Sequence, residues 1–400
     1  ECAQLVDVEN GKVLKNQEVW VEGNRIRAVG KNVDAGEDAQ RFSLDTCLPG
    51  LMDMHVHLTG QLSPSGYIKR FQNNPADYAL TAAHYANITL QAGFTTVRNP
   101  GDAYNATIAL RNAIERGTAT GPRILSAGKT LATTGGHGDP TNGFRADLMG
   151  DPGPAEGVVN SVADAYQAVR QRYKDGADFI KITATGGVLS LAKSGQNPQF
   201  AQDELAAVIA AADDYGFHVA AHAHGSDGMK RAVMAGVHSV EHGTFMTDEI
   251  ISLMKEKGTW YVPTISAGKF VAEKSEVDGY LPEIVRPKAA TVGPQISETF
   301  AKAYREGVKI AFGTDAGVSP HGDNAKEFIF MVEGGMSEME AIQSATLATS
   351  QLLGNTSALG SIGEGKLADI VAVKGNPLDD ISILTSVDFV MKDGVVYKNN

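Results

Sequence analysis

Residues 49–58 of the chain read PGLMDMHVHL, and the folding of this stretch decides the rest. An apolar run ends there in two histidines, His55 and His57, spaced two apart. On a strand, side chains at i and i+2 share one face. The two imidazoles would then aim at one point. That suits a metal ion, and it equally suits a buried hydrogen-bonded pair. The pattern alone leaves both open, and the surrounding sequence has to choose.

Outward from this stretch, residues 52–57 are the first of eight short apolar segments. The others are 95–99, 123–127, 179–182, 218–223, 239–242, 260–264 and 309–315. Helical stretches lie between them, at 77–92, 103–117, 162–175, 203–215, 226–236, 247–257 and 292–306. A strand followed by a helix, repeated eight times, predicts an α/β fold of the (β/α)8 TIM barrel type over residues 51–357. Two connections, 128–161 and 265–290, are long and rich in Gly, Pro, Ser and Thr. They are expected as loops over the C-terminal face of the barrel. The chain ends read differently. Residues 1–50 and 358–400 alternate short β-type runs with turn pairs such as Asn10-Gly11 and Asp393-Gly394. That is hairpin chemistry, and it predicts one small β-sandwich domain built from both termini.

On this frame the polar residues fall into place. His55 and His57 end the first strand, His222 the fifth, His242 the sixth and Asp315 the eighth, while Lys181 lies within the fourth. A single histidine at a strand end is ordinarily a structural, hydrogen-bonded residue. Four histidines and an aspartate at strand ends that converge on one mouth point to a metal site instead. Imidazole nitrogen and carboxylate oxygen suit zinc and similar divalent ions. A lysine in an apolar strand is costly as a cation, and burial lowers its pKa. A neutral amine can add CO₂ to give a carbamate, an anion able to bridge two metals. The competing reading pairs its ammonium with a neighbouring carboxylate such as Asp178, and spacing leaves both open.

Composition narrows the partners. The chain has 400 residues, 42% hydrophobic and 20% charged, with a formal charge of 35 − 47 = −12. An acidic surface argues against nucleic acid and anionic membrane. The absence of any 18-residue apolar run argues against a membrane span. The opening ECAQLVDVEN has no initiator Met. A removed signal peptide fits this, with a soluble periplasmic or secreted protein; so does a trimmed cytoplasmic one. Cys2 and Cys47 are too few for a cysteine zinc site or a disulfide framework. They form one bond in an oxidising compartment, or remain two free thiols. Two motif fragments are set aside. GSIGEGKL at 360–367 has Leu367 where a phosphate-binding loop needs Ser or Thr. SLAK at 190–193 lacks the companion motifs of Ser-x-x-Lys enzymes.

The segments PGLMDMHVHL, GFTTVRNPGD, FIKITATGG, VAAHAHG, SVEHG, FGTDAG and GEGKLADIVAV together resemble the amidohydrolase superfamily along nearly the whole chain. Through TTGGHGDP at 133–140, AHAHG at 221–225 and SPHGDNAKEF at 319–328, the sequence is similar to one branch of it. That branch holds prolidase-like, Xaa-Arg/Lys carboxypeptidase-like and ochratoxin-degrading enzymes. The resemblance implies two divalent metal ions, most often zinc, bridged by a carboxylated lysine. Transferred here, His55, His57 and Asp315 hold one metal, His222 and His242 the other, and a carbamate on Lys181 bridges them. Asp315 then moves the proton from the attacking water to the leaving amine. His137 donates to the carbonyl oxygen, and His224 and His321 face the substrate. Arg98 either binds a substrate carboxylate or orders the barrel mouth. His84, His218 and His238 are read as structural.

The implied substrates are dipeptides or N-acyl amino acids with a free carboxylate, ochratoxin A among them, and the implied assembly is a homo-oligomer, often an octamer. The segment TWYVPTISAGKF departs from the Arg/Lys-specific pattern, so an apolar or aromatic amino acid is expected. Three rivals are weighed. A deaminase needs a catalytic Glu where Gly225 stands. A cyclic amidase of the dihydropyrimidinase type shares the bridging lysine, but the TGGHGDP loop speaks against it. A non-catalytic metal-binding protein that kept the fold would have no need of Asp315.

Overall fold

The computed structural model describes residues 1–36 and 38–400. The chain opens with β1 (Cys2–Asp7), β2 (Lys12–Glu22), β3 (Arg25–Gly30) and β4 (Leu44–Pro49). Two parallel sheets follow. One contains β5 (Leu51–Asp53), β6 (Phe94–Asn99) and β7 (Arg123–Ser126). The other contains β8 (Ile180–Thr183), β9 (Val219–Ala223), β10 (Ser239–His242) and β11 (Trp260–Val262). Their strands are almost wholly buried, as parallel strands covered by helices are. The chain then returns to the first sheet with β12 (Ile370–Val373), β13 (Phe389–Lys392) and β14 (Val395–Asn399).

The two parallel sheets are linked at their edges by single backbone bridges. Leu131 pairs with Ile182, Tyr261 with Ile310, and Val56 with Ala316. The helices between strands carry ordinary start and stop signals. In Val162–Asp175 the Ser161 hydroxyl accepts from the Asp164 N–H, and Gly176 ends the helix at φ 86°. Its bounds are those expected from sequence.

Three expectations need correction. The first strand is regular only over Leu51–Asp53, with Val56 joining through one bridge. Residues 309–315 form no continuous ladder. They hold their neighbours by isolated bridges at Ile310 and the adjoining Ala316 and by single backbone hydrogen bonds such as Met54 N–H to the Phe312 carbonyl, and the segment ends where Asp315 turns into the left-handed region at φ 55°. Buried Asp53 secures the junction, accepting from the His55 and Thr314 N–H groups, the Thr314 hydroxyl and the Asn324 amide. Most of 265–290 is helix, not loop: Ile265–Ser275, with Arg286–Arg305 beginning just before the segment ends. Its glycines read as breakers but serve packing. A Cβ on Gly268 would lie 2.7 Å from Ile296 Cγ2, and one on Gly293 would lie 2.6 Å from the Ala272 Cβ. Only hydrogen at both positions lets the two helices close on each other.

The strands from the two chain ends make one seven-stranded sheet, where a sandwich was expected, in the order β14-β13-β12-β4-β1-β2-β3. The long β2 pairs with β1 through its first half and with β3 through its second. The sheet encloses Leu5, Ile26, Ile370 and Phe389, with Val19 and Val21 packed against them. Cys2 on β1 is bonded to Cys47 on β4, closing a loop of sequence separation 45. Such a crosslink stabilises chiefly by restricting the unfolded chain. Reduction, or Cys47→Ser, is expected to cost about 2–4 kcal/mol of stability, read from denaturant unfolding with and without dithiothreitol. Identical midpoints would show that the bond contributes nothing.

Candidate metal centre and active site

The ends of β8, β9 and β10 and the bends after β5 and at Asp315 bring six side chains into one cavity of about 170 Å³. They are His55, His57, Lys181, His222, His242 and Asp315, joined by His137 and His224. The spacing follows from the strands. Lys181 pairs in register with Ala220 and Thr183 with His222, and the Glu241 N-terminal to His242 pairs with His222. Each polar residue therefore sits near the same level of the sheet.

The ring nitrogens are held from behind. His55 Nδ1 bonds Glu241 Oε2 at 2.7 Å, and the Gly101 carbonyl accepts from His57 Nδ1 at 3.2 Å. Hydroxyls of Thr264 and Thr244 bond Nδ1 of His242 and His224, each at 2.8 Å. His222 Nε2 lies 3.1 Å from the Gly186 carbonyl. The free nitrogens face inward. His55 Nε2 is 3.7 Å and His57 Nε2 3.5 Å from Asp315 Oδ1. That oxygen is buried without a hydrogen-bond partner. Ligand atoms of His55, His242 and Asp315 lie within 4.8 Å of one another, and so do those of His222, His224 and His242.

Charge favours the same purpose. Burial, joined by the nearby Lys181 charge, holds the His55, His222 and His242 imidazoles well below their ordinary pKa. Burial pushes His57 down to about 4 in the same way. Neutral imidazoles with inward lone pairs are what a divalent ion requires. Burial also lowers Lys181, favouring its amine, and raises Asp315, a cost to the carboxylate that a bound cation would offset. Asp178 is no partner for Lys181, since it accepts from Arg111 and from the Ser126 N–H. Two of the cluster, His242 at φ 71° and Asp315 at φ 55°, adopt the left-handed backbone, as does Thr264 at φ 54° behind His242. Strain of this kind gathers at sites whose geometry is over-determined. The orphaned carboxylate oxygen and the inward nitrogens fit a metal.

One family model, the amidohydrolase family, matches residues 46–397. The chain belongs to the amidohydrolase family. An ochratoxinase of Aspergillus niger is 32% identical over 99% of this chain and 86% of its own. A crystal structure of a Xaa-Pro dipeptidase with methionine bound in its active site is 56% identical, with a TM-score of 0.96 over 100% of this chain and 98% of that one. A prolidase complexed with N-methylphosphonate-L-proline is 30% identical, with a TM-score of 0.91 over 100% and 98%. This amidohydrolase is a hydrolase of amide bonds, with His and Asp groups able to hold a metal.

Two sequence candidates lie elsewhere. His321 does not line the cavity; its Nε2 donates to the Gly60 carbonyl at 3.0 Å and its ring stacks on Tyr85. Arg98 is buried beneath the site, donating to Glu241, Ser239 and the Met54 carbonyl. His218 and His238 stack on each other outside the cavity. The sequence reading missed Glu241, which is fully buried between His55 and Arg98. The signal was present: a carboxylate in the apolar strand SVEH is as costly as Lys181 in its own. Glu241→Ala leaves Arg98 unpaired and His55 unsupported. The expected result is about 3–5 kcal/mol of lost stability and about 10–100-fold weaker metal binding, read by thermal unfolding and zinc titration. Wild-type zinc affinity in this variant would exclude the supporting role.

Proposed function

We propose that this amidohydrolase cleaves the amide bond to a C-terminal amino acid in dipeptides or N-acyl amino acids, with ochratoxin A among the candidate substrates. The observation that carries the reading is the convergence of His55, His57, His222, His242 and Asp315 around buried Lys181 in one cavity. The proposal includes closure of the two parallel sheets into a (β/α)8 barrel over 51–357, with 1–50 and 358–400 as the sheet domain. The bridges at Leu131, Tyr261 and Val56 support the closure.

In this reading His55, His57 and Asp315 hold one metal and His222 and His242 the other, with His224 within ligand reach of the second. Burial favours the neutral amine of Lys181, which adds CO₂ and loses a proton to give the bridging carbamate. Divalent ions of the zinc type, held by these residues, would supply a water of lowered pKa and polarise the carbonyl. Asp315 Oδ1, free of hydrogen bonds, accepts the proton of the attacking water and returns it to the leaving nitrogen. His137 lines the same cavity and donates to the carbonyl oxygen as charge develops there.

The rest of the cavity chooses the side chain. Val188, Leu189, Val271, Val292, Ile296 and Val318 form its apolar wall. Apart from Lys181 and Asp315, the lining carries no fixed charge that could pair with a lysine, arginine or glutamate side chain. A cavity of this size holds a benzene-sized group. The apolar wall suits methionine, leucine and phenylalanine side chains, in keeping with the ochratoxinase and the methionine-bound dipeptidase among the relatives. Assembly into a homo-oligomer, up to an octamer, is part of the proposal. Its support is the pair of exposed aromatic rings Tyr67 and Phe71, packed against the half-buried Phe144.

The test is amine release from N-acyl amino acids and dipeptides after loading with zinc and bicarbonate. Turnover is expected to be at least about tenfold faster with an apolar C-terminal residue than with a charged one; one misplaced methylene is already worth that much. Turnover of cyclic amides alone would move the chain to the dihydropyrimidinase type. Lys181→Ala should abolish metal loading and turnover together, and full activity in that variant would sink the bridging role.

A further inference from the structure

SLAK at 190–193 was set aside as a motif, and the mechanism above does not use it. Its serine nonetheless reaches the site. The loop that follows β8 runs Ala184-Thr185-Gly186-Gly187-Val188-Leu189-Ser190, and it folds over the His137 imidazole. The Ser190 hydroxyl is hydrogen-bonded to His137 Nδ1. On its far face the His137 ring stacks on His222, with centroids 4.3 Å apart. A Cβ on Gly187 would overlap the His137 ring, so only glycine lets the ring lie against the loop backbone. The Gln199 side chain accepts from the His137 N–H at 2.8 Å and fixes the backbone from below.

The loop is itself clamped from a third element. Lys288, in the helix Arg286–Arg305, donates to the carbonyls of Gly187, Ser190 and Ala192 at 3.3, 2.7 and 2.8 Å. These three acceptors consume the ammonium's three donors. The contact at Ser190 uses its backbone carbonyl, which leaves the hydroxyl proton available to His137.

From this geometry we infer that Ser190 and Lys288 are positioning residues for His137. Ser190 gives its hydroxyl proton to Nδ1, so that the His137 proton sits on Nε2. Lys288 holds the loop that carries Ser190. A neutral imidazole has one donor and one acceptor nitrogen, and the bond made by one sets the role of the other. With Nδ1 occupied as acceptor, the remaining nitrogen can only donate. A donor is what a developing oxyanion needs. The inference rests on the donor role proposed for His137, but the tautomer can be measured without it.

The experiment compares wild type with Ser190→Ala, Ser190→Thr and Lys288→Met, with zinc content measured for each. The ¹⁵N shifts of the His137 ring in histidine-labelled protein report which nitrogen carries the proton. They need no turnover. The expected result is an Nε2–H form in wild type and Ser190→Thr, and a mixture in Ser190→Ala. Kinetics on an N-acyl methionine should show kcat lowered in Ser190→Ala, by up to the about 100–1,000-fold that loss of one oxyanion donor costs, with KM little changed, zinc content intact and recovery in Ser190→Thr. Lys288→Met should shift the His137 signals in the same sense. An unchanged tautomer in Ser190→Ala would overturn the inference, as would a loss of zinc in step with activity, which would make the serine a support of the metal ligands. A Ser190→Ala tautomer shift in a protein that turns over none of the amides would instead keep the inference and remove the functional reading.

Discussion

The structure turns on the cost of burying Lys181. An ammonium buried among imidazoles loses its hydration, and the carboxylates of Glu241 and Asp315 offset that loss only in part. Burial relieves this by favouring the neutral amine, and the same burial strips the protons from His55, His222 and His242. A cavity that holds neutral nitrogens and an unsatisfied carboxylate oxygen is poorly solvated as it stands. It becomes well satisfied when cations enter it. The site is thus arranged for cations at a cost in solvation, and this is the electrostatic meaning of the histidine cluster.

Everything around the cavity holds that arrangement in place. Asp53 ties the bend after β5 to Thr314 and Asn324, so that His55 and Asp315 approach each other across the sheets. Glu241 and Arg98 form a buried ion pair below His55. Threonine hydroxyls serve His224 and His242 in the same manner. Backbone strain at His242, Thr264 and Asp315 concentrates where strand geometry ends and ligand geometry begins. The helices Ile265–Ser275 and Arg286–Arg305 then cover the mouth with an apolar wall, giving the proposed substrate its side-chain pocket.

Much of this was legible in the sequence because barrel chemistry sits where apolar strands end. His55, His57, His222, His242, Asp315 and Lys181 each interrupt or close an apolar run, and the structure gathers all six. Glu241 carried the same signal and was overlooked, since its neighbour His242 drew the reading to the metal. The helix at Ile265–Ser275 was hidden by glycines whose purpose, close helix contact, appears only once Ile296 and Ala272 are in place. Ser190 was hidden for a related reason. Its partner His137 lies 53 residues away, and no local pattern announces a contact between two loops. The Cys2–Cys47 bond likewise needed the fold, which sets β1 beside β4. His321 shows the opposite error, a histidine close to Asp315 in sequence whose ring turns away to Tyr85.

The most direct measurement of the central claim is ¹³C NMR of the zinc-loaded protein equilibrated with ¹³C-bicarbonate. The account predicts a single protein-bound carbamate resonance, dependent on zinc and absent from Lys181→Ala. A fully loaded protein without that resonance would contradict it: Lys181 would then be an ordinary buried amine, and the two halves of the histidine cluster would have nothing to join them.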